Sequence, residues 1–229
     1  MMNPHPNGRR PLVAELVGPA GTGKSALSQC LARRPGVMRA SVWNLPRGWW
    51  LLNAVRSLPT LLALSARTRP VPWEELRQLV RLRTLRQVLE RRPVQHVPLV
   101  VLDEGPVFAL AWLRLFGRQR RRGDALAPWW QRALQEWAAA LDIVVLMNAP
   151  DAVLLERIRA REKPHRVKHR TDAEIGAFLA AYRDAFDDVI ADLTAQHDVQ
   201  VVTLDSDGAV IDRTAGRLLD LLEGQAHVA

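Results

Sequence analysis

The segment Gly18-Pro19-Ala20-Gly21-Thr22-Gly23-Lys24-Ser25 constrains this chain more than any other, because it fits G-x-x-x-x-G-K-[ST] at every fixed position. Glycines at this spacing let the backbone bend so that successive N–H groups point at phosphate oxygens. A helix that follows adds the positive end of its dipole. The apolar run Leu12 to Val17 precedes the motif and reads as a buried strand. Ser25 to Arg34 reads as the helix behind it, stopped by Pro35-Gly36. Strand, glycine turn and helix together predict a nucleoside triphosphate site in which Gly18 through Ser25, with Ala26, surround the phosphates. Lys24 is expected to reach the β- and γ-phosphates, and the Ser25 hydroxyl to ligate Mg2+.

Further along, Val97-Pro98-Leu99-Val100-Val101-Leu102-Asp103-Glu104 is an apolar strand ending in acid. A carboxylate delivered beside a phosphate cradle can hold Mg2+ through water, which makes Asp103 the second metal-site candidate after Ser25. Glu104 reads as a second carboxylate of the metal shell, a base for a hydroxyl acceptor, or an exposed side chain. Val37 to Trp43, Ile143 to Met147 and Val199 to Leu204 are the remaining strand candidates. Helices are expected over 47–66, 73–92, Phe108 to Phe116, Pro128 to Leu141, Pro150 to Glu162, Asp172 to Gln196 and Val210 to Leu222. Thr171 is available as the cap of the long one. Alternating strands and helices predict an α/β fold, a five-stranded parallel sheet with helices on both faces. Residues 1–229 read as one domain, with a helical region over 36–96.

Composition removes several alternatives. At 48% hydrophobic and 24% charged residues the chain has an ordinary globular balance. No apolar run reaches the roughly 18 residues of a membrane-spanning helix, and the opening MMNPHPNGRRP has no apolar core of a secretory signal. Cys30 is the sole cysteine, so a disulfide framework or a cysteine zinc site within one chain is excluded and a cytoplasmic setting is expected. The net charge is +8, and 29 of the 32 basic residues are arginine. That field attracts phosphates, nucleotides or nucleic acid without choosing among them.

Asp103-Glu104-Gly105 is not the D-x-x-G of a GTPase switch, Asn148-Ala149-Pro150-Asp151 lacks the lysine of N-K-x-D, and no LSGGQ signature is present. Small P-loop kinases remain. The passage Leu146-Met147-Asn148-Ala149-Pro150-Asp151-Ala152-Val153-Leu154-Leu155-Glu156-Arg157-Ile158-Arg159-Ala160-Arg161 resembles the strand-to-lid passage of thymidylate kinases and related nucleoside and nucleotide kinases, with its proline-started helix and E-R-x-x-x-R ending. The resemblance covers 11–35 and 97–222. It implies a three-layer P-loop NTPase fold with a helical acceptor-side insertion over 36–96 and a lid over 157–171, ATP and Mg2+ as cofactors, and a homodimer. It also implies that Arg157 stacks on adenine, that Arg161 touches the transferring phosphates, and that the turn Asp205-Ser206-Asp207-Gly208 backs the adenine ring. The two arginines are four apart, on one helical face, and planar guanidinium suits both tasks. Arg166 and Arg170 lie in the same lid segment.

The departures from that family fall on the acceptor side. Thymidylate kinases follow the third strand with D-R, whereas this chain has Asp103-Glu104, an acid where an arginine would hold an acceptor phosphate. Val42-Trp43-Asn44 offers no glutamate base of the deoxynucleoside kinase kind. Trp43, Trp49, Trp50 and Trp73 are expected mainly in helix packing, with stacking on a substrate as the other reading. His165 and His169 read as lid or surface residues. Arg118, Arg120, Arg121 and Arg122 form a solvated loop or a nucleic-acid patch. The leading expectation is an ATP-dependent phosphotransferase acting on a small-molecule phosphate acceptor. The rival is a nucleotide-dependent ATPase switch associated with nucleic acid.

Overall fold

Strand β1 (Leu12–Val17) runs between two parallel neighbours, β3 (Leu99–Asp103) and β4 (Ile143–Asn148). Strand β2 (Val37–Ala40) adds outside β3 and β5 (Gln200–Asp205) outside β4, giving a five-stranded parallel sheet in the order β2-β3-β1-β4-β5. The structure, a computed structural model, describes residues 10–41, 52, 55–56, 72–90, 94, 97–117, 127–162, 165–206, 213–216 and 218–220. The expected helix over 47–66 and the arginine stretch from Arg118 to Arg122 lie almost wholly outside these residues, as do Trp43, Trp49 and Trp50.

The strands form because they are near-continuous apolar runs, which a sheet covered on both faces requires. Alternation then sorts their side chains. Val13, Val17, Val100, Leu102 and Val144 face helices α2 (Trp73–Leu89), α3 (Pro106–Phe116), α4 (Ala127–Ala138) and α6 (Asp172–Thr194) in one core. Ala14, Leu16, Val101, Ile143 and Val145 face α1 (Lys24–Leu31) and the helical residues Ala215 and Leu218 on the other side. The result is three layers. A third apolar cluster joins α5 (Asp151–Ala160) to the start of α6 through Leu154, Ile158, Val167, Ile175 and Leu179. Thr171 caps α6 in a full capping box with Glu174. Among the described residues no helix is long and apolar enough to cross a membrane.

Several expected boundaries move. The third strand starts at Leu99 and takes in Asp103, because Pro98 has no N–H for the ladder and its carbonyl instead receives the Leu12 N–H at 2.9 Å. The helix expected to run to Glu162 ends at Ala160, and Arg161 is already extended. Arg161 keeps a helical φ of −63° at the C-cap, so its side chain still leaves the chain four residues on from Arg157. Trp73 begins α2 before that helix's apolar residues engage the core and is 67% exposed, so it is not a packing residue.

One strand residue breaks the apolar pattern. Glu15 is fully buried in the middle of β1 on the α3 side. Its carboxyl oxygens accept the N–H groups of Val107 at 2.8 Å and Phe108 at 3.0 Å, which are first-turn donors of α3 that have no partner inside the helix. Gly105, just before that helix, must lack a side chain, since a Cβ there would lie 2.6 Å from Glu15 Cδ. Burial pushes the Glu15 carboxyl from 4.5 up to about 8, against the opposing pull of the backbone N–H groups and Arg81. A carboxyl raised in the folded state holds its proton there while the unfolded chain has lost it. Its contribution to stability is therefore complete below about pH 4.5 and is lost as pH rises through about 8. Glu15→Gln offers one acceptor for two N–H groups, so it is expected to melt lower at acid pH yet to lose this part of the pH dependence. Thermal unfolding of both forms between pH 5 and about 9 measures it, and equal slopes would refute it.

Candidate functional site

The register Leu16↔Asp103 and Val17↔Leu146 brings the carboxyl ends of β1, β3 and β4 to one edge of the sheet, where α/β folds place their ligands. The turn from Gly18 to Gly23 rises from that edge. Gly18, Gly21 and Gly23 all take positive φ, at 144°, 96° and 86°. Gly23 caps α1 without any side-chain hydrogen bond, which leaves the first-turn N–H groups of the helix to an incoming anion. Inside the turn, Lys24 Nζ donates to the carbonyls of Gly18 at 2.6 Å and Pro19 at 2.7 Å and to Thr22 Oγ1 at 3.2 Å. Burial lowers the Lys24 pKa to about 8; Asp103 and Glu104 pull it back up, and Arg161 adds to the lowering.

Asp103 ends β3 almost fully buried. Its Oδ2 accepts from Arg39 at 2.5 Å and from Ser28 Oγ at 3.2 Å. Its Oδ1 is buried and has no hydrogen-bond partner among the described residues. A carboxylate oxygen left so in a cleft fits a cation site, because buried polar atoms are otherwise almost always satisfied. Ser25, at the start of α1, lines the same cleft. Glu104 follows with a left-handed φ of 57°, the one non-glycine residue so placed among those described. Its carboxylate receives Arg81 of α2 at 3.0 Å, and the same guanidinium lies 5.2 Å from the centre of the Phe108 ring.

The opposite wall comes from α5 and α6. Arg157 donates to the Gly21 carbonyl and to the Ser206 carbonyl, both at 3.1 Å, and so ties the glycine turn to the chain after β5. Arg157, Arg161, His165, Phe178, Leu179 and Tyr182 close a cleft of about 690 Å3 with the glycine turn, Asp103, Glu104 and Phe108. His165 packs edge-on against Phe178, with centroids 5.8 Å apart, and its pKa is lowered by burial and by Arg161, Arg166 and Lys24. Arg166 and Arg170 are spent elsewhere. Arg166 pairs with Glu74 at 2.6 Å and lies over the Phe116 ring, and Arg170 pairs with Glu174. Asp205 lines a separate pocket of about 350 Å3 with Asn148, Asp151 and Arg183, outside the phosphate cleft. Asp207 and Gly208 fall outside the described residues.

Similarity to solved structures agrees with this architecture. A shikimate kinase from Bacteroides thetaiotaomicron aligns over 93% of this chain and 98% of its own, with 19% identity and a TM-score of 0.50. A deoxyadenosine kinase from M. mycoides, solved with dCMP and dCDP, aligns over 93% of this chain and 100% of its own, with 11% identity and a TM-score of 0.53. The fold is that of the P-loop kinases. No family model and no curated protein matches the chain. The thymidylate kinase subtype is compatible with these neighbours and is not singled out by them.

Of the residues expected from the sequence, Gly18, Ala20, Gly21, Gly23, Lys24, Ser25, Ala26, Asp103, Glu104, Arg157 and Arg161 line this cleft, whereas Pro19 and Thr22 do not and Asp205 lines the separate pocket. The sequence reading missed Glu15, Arg39, Arg81, Phe108, Phe178 and Tyr182, and it gave His165 no place in the cleft. Glu15 carried a signal, a lone acid in the apolar run LVAELV. Arg39 and Arg81 carried none, since their partners depend on which strands and helices become neighbours.

Proposed function

We propose that this chain is an ATP- and Mg2+-dependent phosphotransferase that moves the γ-phosphoryl of ATP to a small-molecule acceptor. The observation that carries this reading is that Lys24, Arg157, Arg161 and Asp103, whose Oδ1 has no hydrogen-bond partner among the described residues, line one cleft above an uncapped helix start. The glycine turn holds the phosphate chain through backbone N–H groups, and Lys24 exchanges its carbonyl partners for phosphate oxygens. Ser25 and Asp103 are the residues that would hold Mg2+, which when bound would supply positive charge to the phosphates of the nucleotide. Arg157 and Arg161 supply further positive charge from a lid over 157–171, while residues 36–96 contribute the acceptor side. Catalysis of this kind is mostly positioning and electrostatics. The wider group of nucleoside and nucleotide kinases related to thymidylate kinases, with either a hydroxyl or a phosphate as acceptor, belongs to this proposal, as does the pairing of Asp205 with the adenine end.

The test is ADP formation from Mg·ATP with and without candidate acceptors, in the presence and absence of EDTA. Acceptor-dependent, EDTA-sensitive ADP formation is the expected result. Phosphate release to water that needs no acceptor and rises with added RNA or DNA would make the chain an ATPase switch instead.

A further inference from the structure

We infer that Glu104 selects the acceptor, admitting an alcohol that bears no phosphate and turning away phosphomonoesters. This rests on the phosphotransferase reading and deepens it. Three observations converge on the Glu104 carboxylate. First, its backbone is held at φ 57°, a conformation that side-chain-bearing residues rarely adopt and that persists only where the surroundings over-determine it. Those surroundings are present: the preceding Asp103 is locked by Arg39 and Ser28, and the following Gly105 is pressed against Glu15, which also anchors the start of α3.

Second, the ion pair that steadies Glu104 is lopsided. The Arg81 side chain is 4% exposed and that of Glu104 is 39% exposed. Glu104 lines the cleft and Arg81 does not. What an acceptor meets is therefore the carboxylate, with the guanidinium behind it bonded to Gln78 and stacked near Phe108. Third, the remaining cleft wall beside Glu104 is aromatic. Phe108 joins Phe178 and Tyr182, the latter two with centroids 4.9 Å apart. The cations of the cleft, Lys24, Arg157 and Arg161, surround the nucleotide phosphates in the proposed reading.

A surface that pairs one carboxylate with apolar rings fits a ring-bearing alcohol, whose hydroxyl donates a hydrogen bond to Glu104. A phosphate brought to the same place meets like charge, and among the described residues the cation nearest Glu104, Arg81, is buried behind it and already paired with it. In the reaction the acceptor oxygen bonds the γ-phosphorus, the bond from that phosphorus to the β–γ bridging oxygen breaks, its electron pair leaves with ADP, and the hydroxyl proton passes to water.

The experiment compares ADP formation with nucleosides, cyclic polyols and aryl alcohols against the phosphomonoester of each, in wild type and Glu104→Gln, with Mg·ATP affinity measured separately. The expected result is turnover of a phosphate-free alcohol, at least tenfold preference over its phosphomonoester, and a narrowing of that preference about tenfold in Glu104→Gln. Mg·ATP affinity should stay within threefold of wild type, and Glu104→Asp should restore part of the preference. Preferential turnover of a phosphomonoester, or a preference unchanged in Glu104→Gln, overturns the inference and leaves the phosphotransferase reading standing. No ADP from either panel by a protein that still binds Mg·ATP overturns both. Loss of Mg·ATP affinity in Glu104→Gln assigns the residue to the nucleotide site and also overturns the inference.

Discussion

Lys24→Ala is expected to lower acceptor-dependent ADP formation by about 10³-fold, the usual scale for removing a charge aimed at the transferring group, while the protein stays folded. The two halves of that result come from the same contacts. Among the described residues the ammonium's hydrogen bonds all end within the glycine turn, on Gly18, Pro19 and Thr22. No helix or strand is held by it, so its removal should change stability by about 1 kcal/mol or less. Its lowered pKa says the same thing from the other side. Burial and Arg161 make the cation costly where it sits, and only Asp103 and Glu104 offset that. A phosphate chain brings the negative charge that makes the cation favourable. Lys24→Arg should rescue little, because a planar guanidinium is wider than the point charge the turn encloses. Steady-state ADP formation and a melting curve on the three proteins check this. Activity of Lys24→Ala within tenfold of wild type would remove the lysine from the mechanism.

What could be read in the sequence, and what could not, follows from the range of the interactions. The glycine turn and Thr171 are local devices, written in consecutive residues, and both stand where they were expected. The strands were legible because burial on both faces demands an apolar run, though Pro98 shifted the third one by denying it a ladder bond. The end of α5 falls two residues before Glu162 because periodicity carries no stop signal at Ala160; Pro164, which disfavours helix just before itself, is the available hint. The partners of Asp103 and Glu104 were not legible at all. Arg39 meets Asp103 only because β2 lies beside β3, and Arg81 meets Glu104 only because α2 packs against α3. Sequence order fixes neither neighbour. The acceptor side of the cleft is built from such long-range pairings, which is why its chemistry emerged from the fold.

Gly18→Ala is expected to be the most disruptive single methyl in the cradle. A Cβ at Gly18 would lie 2.1 Å from the carbonyl oxygen of Met147 and 3.3 Å from Thr22 Oγ1, and φ there is +144°. The obstacle is backbone. Met147 lies within β4, one residue past the partner of Val17, so the carbonyl cannot retreat without pulling β4 from β1. Displacement of a central strand and a strained φ together should cost about 3 kcal/mol or more, a fall of roughly 6–12 °C in melting temperature for a chain of this size. Gly23→Ala provides the contrast. It shares a positive φ, at +86°, but nothing lies within 4 Å of its added Cβ. Only conformational strain of about 1–2 kcal/mol is expected. If the two variants melt alike, the closeness of Gly18 to β4 contributes nothing, and the turn is set by backbone conformation alone. If Gly18→Ala melts well below Gly23→Ala, the cradle owes its position to direct contact with the strand edge, and the phosphate site and the sheet are one mechanical unit.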